Sequence, residues 1–274
     1  MSGLEDHAGD IVRKSRMGLG IAIKTVLEDA GIDQATLEQF ESEGTIQQEP
    51  QWKPLCQRLH LEIDKFLSIH IGWTPQSQPP ERIPQVRQIM TDDGGMEVNA
   101  YIVWDTETRE AALFDTGWNS IPIEQYVQEN DLKLKHLFIT HQHHDHVAAM
   151  TPLRKAYPDI QLWAQGKGVP RQNQVSEGQQ FSMGSLNIEA RLTPGHAADG
   201  VTYVINGLSG DYPRAAIVGD AIFAGSMGGA SQYFELAKTN IREAILSLPN
   251  PTLICPGHGP LTTLEEELAH NPFF

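Results

Sequence analysis

A strand that runs directly into a dense group of metal-binding side chains constrains this chain more than any other feature. Residues 133–140 read as a buried strand, and the next six residues are His141-Gln142-His143-His144-Asp145-His146, with a helix expected from about Ala148. Imidazoles at i and i+2, then a carboxylate and another imidazole, bring several donors out of one tight turn into one small volume. Imidazole with carboxylate suits zinc, iron or manganese better than calcium. Only two cysteines occur, Cys56 and Cys255, far apart, which excludes a disulfide framework and a cysteine-based zinc motif. Any metal must therefore be held by histidine and carboxylate. Three further candidates stand where strands should end: His196 in Thr193-Pro194-Gly195-His196, Asp220 in Val218-Gly219-Asp220-Ala221, and His258 in Cys255-Pro256-Gly257-His258-Gly259-Pro260. With His141, His143, Asp145 and His146 they make seven donors, enough for two divalent ions.

The chain divides near a stretch without periodicity, Gly72-Trp73-Thr74-Pro75-Gln76-Ser77-Gln78-Pro79-Pro80, dense in residues that stop helices. We expect a helical domain over residues 1–72, a linker over 73–83 and a catalytic domain over 84–274. Before the linker, apolar residues recur at helical spacing, as in Ile11, Val12, Leu19, Ile23, Val26 and Leu27. Breaks at Gly18-Leu19-Gly20, Gly31-Ile32-Asp33 and residues 44–50 divide this part into about five short helices. After the linker, strands are expected at 85–90, 98–104, 111–114, 134–139, 160–163, 186–192, 201–205, 215–218 and 252–255, and helices at 121–129, 148–157 and 233–248. In the last helix Leu236, Ile241, Ile245 and Leu248 form the expected inner face. Strands in two runs, mixed with helices, predict two sheets faced by helices, an α+β fold with a small all-α N-terminal domain.

Charge narrows the possible partners. The formal net charge is −15, and residues 1–80 carry seven basic and twelve acidic side chains. Nucleic-acid binding depends on Lys and Arg neutralising phosphates, so a small-molecule substrate fits better than a nucleic acid. No apolar run approaches the roughly 18 residues of a membrane span, and the polar start Met1-Ser2-Gly3-Leu4-Glu5-Asp6 has no signal-peptide core, so the expectation is a cytoplasmic protein without membrane association.

Two resemblances add to this reading. Arg13-Lys14 in the first helix, and Ala30-Gly31-Ile32-Asp33 before a helix carrying Leu37 and Phe40, resemble the phage-repressor type of helix-turn-helix domain over roughly residues 8 to 70. In that family the helix after the turn reads DNA. Here it would be the stretch 33–43, which carries Asp33, Glu38, Glu41 and Glu43 and no basic residue. Like charge would repel the phosphates, so we expect this unit to serve packing, homodimerisation or coverage of the active site. Residues 84–274, with all the ordered His/Asp motifs above, resemble the metallo-β-lactamase superfamily, and within it the short glyoxalase-II-like hydrolases.

That second resemblance implies an αβ/βα sandwich with metals at one edge. It implies one ion held by His141, His143 and His196, another by Asp145, His146 and His258, and Asp220 bridging both; zinc comes first, with iron or manganese as alternatives. Asp115, in Phe114-Asp115-Thr116-Gly117, matches the family's buried aspartate that orients a ligand imidazole. Asp145 would both ligate and orient the attacking hydroxide. The implied reaction is hydrolysis of a small thioester, ester or lactone through hydroxide shared between the ions.

There are departures from the family pattern. Ala148-Ala149 replaces glycines, Ala197-Ala198-Asp199-Gly200 replaces Thr-x-Gly-Ser, and Met227-Gly228-Gly229 stands where relatives carry a Gly-Arg pair, removing an anion anchor. The sequence ends where full glyoxalase II continues into a glutathione-binding domain, which leaves the glutathione thioester open as a substrate. Two alternatives stand beside the hydrolase: a persulfide dioxygenase with a single iron on two histidines and an aspartate, and a ligand-sensing DNA-binding regulator built from the helix-turn-helix unit.

Overall fold

Apolar periodicity turns into five N-terminal helices: α1 (Ala8–Gly18), α2 (Ile23–Ala30), α3 (Gln34–Glu43), α4 (Trp52–Arg58) and α5 (Ile63–His70). They are seen in a computed structural model that describes residues 3–274, so Met1 and Ser2 of the polar start and of the 1–72 unit lie outside the described residues. Their boundaries follow local chemistry. His7 and Asp10 form a reciprocal capping box at the start of α1, Asp33 caps Thr36 at the start of α3, and Gly31 (φ 68°) ends α2 in the left-handed region.

The first sheet contains β1 (Val86–Asp93), β2 (Met96–Trp104), β3 (Glu110–Phe114), β4 (Lys133–Phe138) and β5 (Gln161–Trp163), paired in that order. Helix α6 (Ile121–Glu129) crosses over from β3 to β4; α7 (His144–Val147) and α8 (Met150–Ala156) cross from β4 to β5. The second run is β6 (Gln180–Met183), β7 (Leu186–Leu192), β8 (Val201–Asn206), β9 (Arg214–Gly219), a small hairpin β10 (Ile222–Phe223) and β11 (Ser226–Met227), α9 (Phe234–Ile241), β12 (Leu253–Pro256), β13 (Thr262–Thr263) and α10 (Leu264–His270). The second sheet is ordered β13-β12-β9-β8-β7-β6.

Period-two alternation builds the layers. Tyr101, Val103, Phe114 and Phe138 of the first sheet meet Tyr203, Ile205, Ile217 and Cys255 of the second. The opposite sides of β2 and β3 give Ala100, Ile102 and Leu113 to a core under α6 and α8. On the far side of the second sheet, Val204, Ala216, Val218 and Ile254 pack with Phe234, Ala237, Ile241 and Ile245. That core is continuous with Ile11, Val12, Phe40, Leu59, Phe66 and Ile69 of the N-terminal helices. The result is an αβ/βα sandwich whose second helical layer is completed by residues that precede the first strand.

The N-terminal helices are also tied down by polar contacts. Lys65 Nζ donates to the Leu268 carbonyl at 2.8 Å and to the Phe274 carbonyl, and the Glu62 amide donates to the Pro272 carbonyl at 2.8 Å. The unperiodic stretch after α5 lies as a strap along α10, with Trp73 stacked on His270 at 4.5 Å and the Gln76 amide donating to Glu266 at 2.7 Å.

Besides α10 and the two-residue strands β10, β11 and β13, none of which was expected, three expectations need correction. β6 was not expected; its four residues alternate between buried Phe181 and Met183 and exposed Gln180 and Ser182, too short a pattern to stand out from its polar flanks. Helical structure begins at His144 rather than near Ala148, because the ligand turn itself forms the first helical turn. In α9 Leu236 is 46% exposed, because five residues place it roughly 140° around the helix from Ile241, and the inward stripe is Phe234, Ala237 and Ile241, continued by Ile245 in the wider π-type turn over Arg242–Leu246.

The shared core generates a test. A Cβ placed on Gly18 would lie 2.3 Å from the Phe234 ring, so α1 rests directly on that side chain. Phe234→Ala is expected to lower unfolding free energy by about 3–5 kcal/mol. Denaturant curves read by tryptophan fluorescence and by circular dichroism should shift together. Independent unfolding of the helical part at an unchanged midpoint would contradict the shared core.

Candidate metal centre

All seven candidate donors sit at one edge of the sandwich, five in loops and two in the short helix α7. His141 and His143 follow β4, Asp145 and His146 occupy α7, His196 lies between β7 and β8, Asp220 follows β9 and His258 follows β12. The two sheets are joined at this edge, because the Val201 amide donates to the Thr140 carbonyl at 2.8 Å and the Asn99 amide of β2 donates to the Gly257 carbonyl at 2.8 Å. Only glycine fits at two positions. A Cβ on Gly257 would lie 2.3 Å from Asp220 Oδ1 and 2.6 Å from the His146 ring, and a Cβ on Gly228 would lie 1.9 Å from the Asp220 carbonyl and 3.0 Å from the His196 ring. The backbone thus approaches the donors as closely as it can.

Hydrogen bonds at the outer ring nitrogens decide which atoms face inward. A carbonyl can only accept, so His258 Nδ1, 2.5 Å from the Glu97 carbonyl, carries its proton and turns Nε2 inward. His196 Nδ1 is fixed likewise by the Gly229 carbonyl at 3.0 Å. Asp115 Oδ2 accepts from His146 Nδ1 at 2.8 Å, and the same carboxylate accepts from the Thr140 amide and hydroxyl, each at 2.7 Å. Thr140 Oγ1, its proton spent on Asp115, accepts in turn from His141 Nδ1 at 3.1 Å. Four imidazoles therefore turn Nε2, the nitrogen whose lone pair is available to a cation in place of a proton, to the interior.

Those lone pairs converge in two groups. The ligand atoms of His141, His143, His196 and Asp220 lie within 4.8 Å of one another, and so do those of Asp145, His146 and His258. His143 Nδ1 is 3.0 Å from His141 Nε2 and 3.1 Å from His196 Nε2. Asp220 stands between the groups. Its Oδ2 is 3.8 Å from His141, 3.4 Å from His196 and 3.4 Å from His258, and its Oδ1 is 3.3 Å from His146. Asp145 Oδ2 is 3.2 Å from His258 Nε2 and 3.6 Å from His146 Nε2.

The donor set fits a cation on this structure's own terms. His146 Nε2 and Asp220 Oδ1 are buried with no hydrogen-bond partner among the described residues, an arrangement that costs free energy unless a further group satisfies both. Charge points the same way. Burial opposes a proton on His146, yet Asp115 and Asp220 raise it to about 10, and Asp145 and Asp220 raise His258 to about 11 against the same burial. Burial, reinforced by the neighbouring His146, pushes His141 down to about 2. Burial would raise Asp145, but His258 and His146 hold it at about 2. Two ionised carboxylates among four inward nitrogens demand positive charge, which a divalent ion supplies without a proton.

His141, His146, Asp220 and His258 are buried, whereas His143 is exposed and His196 partly so, which makes their side the mouth. Beside it lies a groove of about 500 Å³ lined by Gln142, Lys167, Leu192, Pro194, Ala198 and Asp199. Sequence reasoning assigned no role to Thr140 or to the carbonyls of Glu97 and Gly229. Thr140 carried a signal, standing directly before His141, but backbone acceptors carry none.

A family model described as "Metallo-beta-lactamase superfamily" matches residues 93–258. A probable metallo-hydrolase, YqgX of Bacillus subtilis, is 30% identical over 66% of this chain and 93% of its own length. The hydroxyacylglutathione hydrolase GloC of Haemophilus influenzae is 28% identical over 64% and 92%. The mitochondrial persulfide dioxygenase ETHE1 of Homo sapiens is 32% identical over 63% and 69%. Among solved structures, ETHE1 from Myxococcus xanthus superposes with a TM-score of 0.59 at 28% identity, covering 68% of this chain and 83% of that one.

Asp220 and Asp115 should separate in their effects. Asp220→Ala removes the carboxylate that faces both groups and is expected to abolish tight retention of metal throughout the centre. Asp115→Ala leaves every inward donor in place and should weaken affinity about 10- to 100-fold. Chelator competition on the two purified variants distinguishes them, and equal losses would mean that Asp220 does not link the groups.

Proposed function

Because the chain belongs to the metallo-β-lactamase superfamily, we propose that it is a metal-dependent hydrolase of a small thioester, ester or lactone, working with two divalent ions. We read His141, His143 and His196 as donors to one ion, Asp145, His146 and His258 as donors to the other, and Asp220 as the bridge, with zinc as the first choice of metal and iron or manganese as the alternatives. The observation that carries this reading is the second donor group, complete and mostly buried beside the first, with Asp220 Oδ1 aimed at His146. When bound, the ions supply Lewis acidity and a water that loses its proton near neutral pH.

The chain's own groups do the positioning. Asp145 engages His146 and His258 through Oδ2 and keeps Oδ1 free to accept a hydrogen bond from the attacking water. Asp115 and Thr140 hold His146 and His141 in the tautomers that face inward. The groove beside His143 and His196 has room for an acyl group, with apolar Leu192, Pro194 and Ala198 along it and Lys167 at its rim. The relative named for hydrolysis of hydroxyacylglutathione supports a thioester within this class.

Identity of 32% with a persulfide dioxygenase favours a second reading, with one iron on part of the same donor set. DNA binding fits less well. In the helical part, Arg13, Lys14, Arg16, Lys24 and Arg58 each face a carboxylate, Asp10, Asp6, Glu41, Glu28 and Asp29 respectively, leaving few cations for phosphates. We therefore read residues 1–72 as part of the enzyme, joined by 73–83 to a catalytic unit at 84–274.

Elemental analysis of protein never exposed to chelator, with a panel of thioesters and lactones, tests the proposal. Two ions per chain and turnover of at least one acyl substrate are expected. One iron per chain, with oxygen uptake on a persulfide and no hydrolysis, would establish the second reading instead.

A further inference from the structure

The hairpin of β10 and β11 directly follows one proposed ligand and ends against the ring of another. It leaves from Asp220 at one end and returns at Gly228-Gly229 on the other, where the Gly229 carbonyl accepts from His196 Nδ1 at 3.0 Å. So short a hairpin has little core of its own, and much of what holds it comes from the N-terminal helices. A Cβ on Gly225 at its tip would meet Ile69 of α5 at 2.5 Å and Trp73 at 3.1 Å. Asp6, ahead of α1, accepts from Ser226 Oγ at 2.5 Å. Lys14 of α1 donates to the Met227 carbonyl at 2.9 Å, pairs with Asp6 Oδ2 at 2.5 Å, and lies 4.9 Å from the centre of the Phe223 ring, which in turn packs edge-on against the His258 ring.

We propose that Lys14 and Asp6 are positioning residues of the metal centre: they clamp the 222–227 hairpin from the N-terminal helical layer and, through the Gly229 carbonyl, orient the His196 imidazole. This rests on the two-ion reading above.

Lys14 and Asp6 are both largely buried, with side-chain exposures of 16% and 7%, so the pair is held away from competing water. Removing one partner of such a pair leaves the other charge uncompensated, and the carbonyl it held is released. The Met227 carbonyl is two residues from Gly229, and Gly228 between them is packed between the Asp220 backbone and the His196 ring. A shift of the hairpin therefore reaches His196 before any other inward nitrogen. His146, fixed by Asp115, and Asp220, seated among four imidazoles at the end of β9, are held from outside the hairpin, and His258 keeps its bond to the Glu97 carbonyl although Phe223 packs on its ring. The expected signature is selective. An unclamped hairpin loosens the ion held with His196 and spares the ion held by Asp145, His146 and His258.

The test uses full-length protein loaded with zinc and titrated with chelators of graded affinity. Wild type should release its two ions in two steps. In Lys14→Met the step belonging to the His196 side should move to about 10- to 100-fold weaker affinity, the usual consequence of losing an outer partner of a ligand, with the other step in place. Lys14→Arg, which can still reach a carboxylate and a carbonyl, should restore most of it, and Lys24→Met on the exposed face of α2 should change nothing. If Lys14→Met does not fold, Ser226→Ala, which removes the hydroxyl that Asp6 accepts from, is read in the same way. An unchanged release profile with only a lowered Tm, or equal weakening of both steps, overturns the inference. A wild-type protein that retains no zinc would instead contradict the two-ion reading.

Discussion

The structure turns on one buried carboxylate. Asp220 lies within 4 Å of the inward nitrogens of His141, His146, His196 and His258, and among the described residues no other touches both donor groups so fully. A lone ionised carboxylate at this depth is costly, and four imidazoles offset that cost only if they carry protons or share a cation. Much of the surrounding architecture serves to hold those imbalanced charges in place. The hydrogen bonds at the outer ring nitrogens, the glycines at 228 and 257 and the sheet-to-sheet links at Thr140 and Asn99 each narrow where a donor atom can go. Such a centre is poised to accept divalent ions because its own groups cannot satisfy one another.

The helical layer shows how an added segment becomes part of such a centre. Short helices are marginal singly and draw their stability from packing of an apolar face, and here those faces complete the covering of the second sheet in a core shared with α9. Packing brings Asp6, Lys14, Ile69 and Trp73 onto the hairpin beside Asp220. The acidic outward face of α3, with Glu38 exposed and Glu41 engaged by Arg16, suits solvent and internal pairing. Fold stability and geometry of the site therefore draw on the same contacts.

Legibility in the sequence followed the range of the interaction. The side chains that converge were readable because donor chemistry belongs to single residues, and a strand followed by His-x-His-His-Asp-His leaves few alternatives. The two sheets were readable from short apolar runs such as 98–104, where both faces are buried and nearly every residue is apolar. Phe181 and Met183 in β6 were not, since two inward residues between polar neighbours resemble any loop. Leu236 misled because an apolar residue at helical spacing suggests burial without naming the surface that would provide it; α9 turned it to solvent. The clamp on the hairpin was invisible for the same reason. Lys14 and Met227 are 213 positions apart, and nothing in either local sequence marks the other.

The most direct measurement is a crystal structure of the metal-loaded protein with anomalous diffraction at the edge of the bound element. The account predicts two peaks flanking the Asp220 carboxylate, one among His141, His143 and His196 and the other among Asp145, His146 and His258. For zinc, each should sit roughly 2.0–2.2 Å from one of the Asp220 oxygens. A single peak on one side of Asp220, or two peaks that leave this carboxylate uncoordinated, would contradict a centre organised around it.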